Sequence, residues 1–109
     1  ETSVNLFPSK SIHSNLLLLN IDGHFSGKNI SDLTGIQDFV ALTSLNCSNN
    51  QLTALNLSSN TALEILNVSN NQIATISVDD NVALINLDVS INSITTIDIS
   101  KNTRLTMLN

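Results

Sequence analysis

Few side chains in this chain of 109 residues could do covalent chemistry: two histidines, one cysteine and nine carboxylates, set among many hydroxyls and carboxamides. An acid–base or nucleophilic centre needs a base within reach of the proton it moves. Only His24 beside Asp22, or His24 near Ser48, offers that. Both combinations fall on short alternating stretches with no glycine-rich loop and no insertion to wall a pocket, so no catalytic residue is assigned and an enzyme is not expected. His13 and His24 with Asp22 lack the spacing of a zinc site. Asp79, Asp80 and Asp98 could attract calcium, but scattered solvated carboxylates are the better reading. No metal and no other cofactor is expected. Cys47, being alone, forms no internal disulfide and reads as a small buried hydrophobe rather than a reactive thiol.

The elements that would position these groups follow from a repeat. Residues 42–62, 63–83 and 84–104 align without a gap, and another copy opens at Leu105. The columns Leu42/Leu63/Leu84/Leu105, Leu45/Leu66/Leu87/Leu108, Cys47/Val68/Val89, Leu52/Ile73/Ile94, Leu55/Ile76/Ile97 and Leu57/Val78/Ile99 are all apolar. A period in the twenties with apolar residues at fixed offsets marks stacked coils, each burying its inner side against its neighbours. Each copy holds two stretches of period-two alternation, over residues 44–48 and 54–58 in the first. That argues for short strands, with a strand or extended turn on the return path and too few residues for an outer helix. The outward positions of the first strands form the columns Asp22/Ser44/Ile65/Asn86/Met107, His24/Asn46/Asn67/Asp88/Asn109 and Ser26/Ser48/Ser69/Ser90.

Two asparagine columns, Asn50/Asn71/Asn92 and Asn60/Asn81/Asn102, run through the copies unchanged. A sharp corner leaves backbone N–H and C=O groups pointing inward, where they must be paired. A carboxamide brings both donors and an acceptor. Both columns are therefore expected to form ladders between successive coils, the alternative being exposed loop asparagines chosen for turn propensity. Asn70, whose third-copy counterpart is Ile91, is expected to tolerate replacement.

Upstream, a shift of 22 places Phe25 over Cys47, Gly23 over Leu45, Ile30 over Leu52 and Leu33 over Leu55. Residues 21–25 then form a first strand. Residues 31–39 space their apolar positions by three, as a short 3₁₀ or helical turn would, and the large Phe25 and Phe39 would fill a wider first layer. Six divisions result: an irregular N-terminal cap over residues 1–20, a degraded first repeat over 21–41, regular repeats over 42–62, 63–83 and 84–104, and a truncated repeat over 105–109. Val4, Leu6, Phe7, Ile12 and the leucines at 16–19 are available to the cap. Leu105 and Leu108 would need covering, either by further repeats or by a second chain meeting the first end to end.

Net charge is -5, and the four basic residues, Lys10, Lys28, Lys101 and Arg104, are scattered. No basic patch forms, so nucleic acid and anionic membrane are poor partners. The longest apolar run, residues 16–19, is far too short for a transmembrane span, and no signal-like segment precedes it. A start at Glu1 without Met is what a processed export product or a trimmed chain would show.

Residues 42–52, LTSLNCSNNQL, are apolar at positions 1, 4, 6 and 11 with Asn at 9. They resemble the leucine-rich-repeat consensus, and residues 29–36, NISDLTGI, leading into Leu42, are similar to the entry to the repeats in bacterial internalin-like surface proteins. The resemblance covers residues 21–109. It implies a leucine-rich-repeat solenoid with a curved parallel sheet on its concave face, little helix, export to the cell surface or exterior, and a noncatalytic binding or adhesion role. Protein or glycan would be recognised through Asp22, His24, Ser44, Asn46, Ser48, Ile65, Asn67, Ser69, Asn86, Asp88 and Ser90. Trp, Tyr and Arg, favoured at interface hot spots, are missing from these columns, which suits a polar partner. A structural spacer or stalk without a ligand is the alternative.

Overall fold

The computed structural model describes residues 26, 27 and 30–109. The expected cap over residues 1–20 and first strand over residues 21–25, with Asp22, His24 and Phe25, lie outside the described residues.

Four strands, β1 (Ser44–Asn46), β2 (Ile65–Asn67), β3 (Asn86–Asp88) and β4 (Met107–Leu108), form one parallel sheet in sequence order. Ser44 pairs with Ile65, Ile65 with Asn86 and Asn86 with Met107, while Leu45, Leu66, Leu87 and Leu108 make the next row. The sequence period is thus the pairing register: every residue lies beside its own copy. Strand residues alternate across the sheet, so Leu45, Leu66 and Leu87 point into the core and their neighbours point out. Regular pairing ends after three residues, although main-chain bonds between coils continue, from Cys47 N–H to Asn67 O (3.0 Å) and from Val68 N–H to Asp88 O (2.9 Å).

The second alternating stretches, over residues 54–58, 75–79 and 96–100, form neither strand nor helix and each ends in a turn. On that side neighbouring coils exchange a single main-chain bond, from Gln51 to Ile30 (2.8 Å), Gln72 to Leu52 (2.8 Å) and Ser93 to Ile73 (2.9 Å). These bonds put Ile30 in the place of Leu52, the offset of 22 visible in the sequence. The first return path differs: a 3₁₀ helix, Ile36–Asp38, follows Gly35, whose φ of 110° is open to glycine and strained for other residues. Its Ile36 and the adjoining Phe39 are fully covered, joining Ile30 and Leu33 in the first layer.

The core is a stack of aliphatic layers. Leu42, Leu45, Cys47, Leu52 and Leu57 supply one, and Leu63, Leu66, Val68, Ile73 and Val78 the next. Leu55, Ile76 and Ile97 pack at its margin. Removal of one such side chain from water contributes about 1.5–3 kcal/mol, but only when a neighbouring coil covers it, so no coil is stable alone.

At the corner after each strand, one asparagine serves two coils. The Oδ1 atoms of Asn50, Asn71 and Asn92 accept from the backbone of the preceding coil, at Ile30 N, Leu52 N and Ile73 N, over 2.9, 2.9 and 3.0 Å. The Nδ2 of Asn71 donates to Val68 O (2.9 Å) in its own coil and to Cys47 O (3.2 Å) in the one before. Asn92 repeats this with Val89 O and Val68 O. At the opposite corner Asn60 donates to Ile36 O and Phe39 O, Asn81 to Leu57 O and Asn60 O, and Asn102 to Val78 O and Asn81 O, all between 2.9 and 3.1 Å.

The residue before each first-corner asparagine takes the left-handed conformation, Asn49, Asn70 and Ile91 having φ of 59°, 57° and 53°, and Gly27, 22 residues before Asn49, has φ of 65°. Glycine and asparagine accept that region readily, but a β-branched residue does not. Asn70 also donates to Asn49 Oδ1 over 2.7 Å. The expected tolerance at Asn70 is therefore corrected, because its shared column with Ile91 marks a conformation and not a free choice.

Asn71→Ala should destabilise the fold by roughly 1–3 kcal/mol in chemical denaturation, since it strands buried main-chain groups on two coils. Ile91, exposed at 73% and so making little packing contribution, should behave oppositely: Ile91→Asn should raise stability by about 1 kcal/mol, roughly 4–8 °C in Tm. An unchanged or lower Tm would show that Ile91 adopts this backbone without strain.

Candidate functional site

The outward strand positions form a shallow surface across β1 to β4. Ile65 lies near its middle, 42% exposed, with Met107 exposed farther along the same row and Asn86 half-buried between them. Ser44 and Ser48, expected among the contact residues, are buried, while Asn46, Asn67, Ser69, Asp88 and Ser90 are half-buried.

Much of the polar capacity of this face is used locally. Asn46 Oδ1 accepts from Ser48 N (3.0 Å) and Ser48 Oγ (2.7 Å). Asn67 holds Ser69 in the same way, and Asp88 holds Ser90 with a 2.6 Å hydroxyl bond. Each is a turn in which a side-chain oxygen two residues back ties down the chain as it leaves the strand. Among the described residues, the Nδ2 atoms of Asn46 and Asn67 and the second carboxylate oxygen of Asp88 keep no protein partner. Among the described strand residues, Asp88 is the one charge on the face. Glu64, half-buried beside Ile65, was not singled out in the sequence because it precedes the strict alternation.

The same local turn occurs on the return side. Ser58 N–H and Oγ–H donate to Asn56 Oδ1 over 3.0 and 2.8 Å, and Ser100 N–H donates to Asp98 Oδ1 over 2.8 Å. Hydrogen bonds from Ser100, with the charge of Lys101 adding to them, hold the exposed Asp98 carboxyl below its usual range. Among the described residues no three His, Cys, Asp or Glu side chains converge on a point where a metal could sit. No helix among them is long and apolar enough to cross a membrane. A groove of about 830 Å³ also opens on this side, between the first return path and the next two. Its lining mixes residues from three different returns, which the sequence pattern does not bring together.

Stacked parallel coils with an asparagine at each corner define a leucine-rich-repeat solenoid. A family model for leucine-rich repeats (two copies) matches residues 40–80. Among solved structures, the functional domain of InlJ from Listeria monocytogenes, which includes a cysteine ladder, is similar at 37% identity and a TM-score of 0.75. That match covers 76% of this chain and 18% of InlJ's. Internalin C2 from Listeria monocytogenes shares the fold, with 22% identity, a TM-score of 0.68, and coverage of 98% of this chain and 48% of the other. This chain is a leucine-rich-repeat solenoid similar to the bacterial internalins. It spans less than half the length of either relative. A search of the curated proteins gives no match.

Cys47 is fully buried in a column completed by Val68 and by Val89 at the core margin. Burial pushes its thiol up to about 12. A thiol raised in the folded state contributes its full stability below the unfolded pKa, about 8.5, and loses it as pH rises toward the folded value. With no Tyr in the chain, unfolding between those limits should show a falling component of about 1.4 kcal/mol per pH unit, and Cys47→Val should remove it. The native thiol should also resist a maleimide reagent that labels it at once in denaturant; prompt native labelling would contradict its place in the core.

Proposed function

We propose that this chain is a noncatalytic interaction module of an exported bacterial protein and that it binds a protein partner across the concave sheet. The observation that carries the reading is the exposed Ile65, set in a row with Asn86 and Met107 and flanked by the unspent polar atoms of Asn67 and Asp88. An isolated apolar side chain ringed by hydrogen-bonding groups is how a binding surface combines desolvation with orientation. The partner that fits brings a small apolar projection for Ile65 and a hydrogen-bond donor or cation toward Asp88 and Glu64. Repeat proteins of this kind commonly bind proteins, and export accords with the internalin-like type. The shallow face lacks the walls that an acid–base centre needs to exclude water.

Capture on protein and glycan arrays by the purified chain, repeated with Ile65→Arg and Asn86→Arg, tests this. Both variants should keep the parent Tm and bind the captured protein about tenfold more weakly, as expected when a central position is blocked. Undiminished capture would remove the concave face from the proposal. Capture of nothing would favour a spacer without a ligand.

A further inference from the structure

We propose that the groove on the return side, opposite the sheet, is a second binding site and that it takes a neutral saccharide. Its existence follows from the fold. The first return path carries a 3₁₀ helix, whereas the following two form no helix or strand, and the groove of about 830 Å³ is lined by all three. That volume lies within the range of small-ligand clefts, about 300–1,000 Å³.

The chemistry of the walls selects the ligand. Hydroxyls and carboxamides dominate them, with Thr34, Gln37, Thr53, Asn56, Thr75 and Ser77 reaching the groove from three successive returns. These groups donate and accept alike, as the hydroxyls of a sugar do. Below them Leu33, Leu55 and Ile76 present apolar surface for the C–H faces of a ring. Among the described residues no Lys or Arg lines the groove and Asp32 is its one charge, so phosphate or carboxylate ligands are disfavoured. Hydrogen bonds from Thr34 hold Asp32 ionised, below the usual carboxylate range.

A second observation is independent of the side chains. On the outer arc of the curved solenoid, the main-chain N–H and C=O groups of Ala54, Leu55, Thr75 and Ile76 have no hydrogen-bond partner among the described residues. All four residues line the groove. Polar ligand groups can therefore bond to the backbone without displacing any bond of the fold. With no aromatic ring in the wall among the described residues to stack on a sugar, single-site binding falls in the millimolar range and gains strength where several sugar units engage together.

The test is titration of the amide NMR spectrum with maltose, lactose and diacetylchitobiose in turn, and separately with a neutral threonine-rich peptide. Shifts confined to residues 32–37, 53–59 and 75–77 with at least one disaccharide are expected. Thr53→Val with Thr75→Val, isosteric changes at exposed positions, should weaken that binding about tenfold and leave spectral dispersion intact. Three results would overturn the proposal: no shifts with any disaccharide, shifts that map to Asn67 and Asp88 on the sheet, or binding of the peptide but of no sugar. The wild-type map decides this even if the double variant folds poorly. Because the two faces carry different amides, loss of one site does not mimic loss of the other.

Discussion

The structure depends on pairing the backbone at its corners. A chain that turns twice in each 21-residue coil leaves main-chain amides and carbonyls facing an aliphatic interior, where each unpaired group costs about 1–3 kcal/mol. One carboxamide per corner meets that demand and joins two coils in doing so, as Asn71 does with Leu52 above it and Val68 in its own turn. Aliphatic burial provides the larger stabilising term, but it is non-directional. The asparagines set the height of each coil over the next, and with it the register that stacks Leu45 on Leu66 on Leu87.

The two corners meet the demand differently. After the strand, each carboxamide uses both its oxygen and its nitrogen, and the residue before it must accept a left-handed backbone. At the far corner, Asn60, Asn81 and Asn102 use their nitrogens alone toward carbonyls of the preceding coil. The first corner is therefore constrained in conformation as well as in side-chain type. Ile91 breaks the conformational half of that rule while the neighbouring Asn92 keeps the hydrogen-bonding half.

Sheet and return path also differ in what they offer a ligand. On the sheet side, main-chain groups are consumed by parallel pairing, and the oxygens of Asn46, Asn67 and Asp88 are consumed by the turns that follow. Side chains such as Ile65 stay exposed there. On the return side, coils share one main-chain bond each, so backbone groups stay open beside hydroxyl-rich walls. This contrast follows from the coils being tied closely on one side only.

The repeat alone determined the fold class, the parallel register of β1 to β4 and the inward placement of Leu45, Leu66 and Cys47, because a fixed period with fixed apolar columns can bury them in one way only. The offset of 22 in the first repeat was likewise legible, since Ile30 and Leu33 keep their apolar spacing. Other features were settled by three-dimensional packing. Ser44 and Ser48 alternate like exposed residues yet are buried. The second alternating stretches have the pattern of strands yet join no sheet, since pairing requires a neighbour at bonding distance as well as a pattern. Asn49 and Asn70 look like loop residues until their positive φ is seen, and the residues that line the return-side groove come from three different returns. Periodicity records which side chains face inward, because burial selects their type. It carries no record of how far apart two segments lie, of backbone handedness at a corner, or of which polar atoms are already spent, because those depend on neighbours about twenty residues away in the chain.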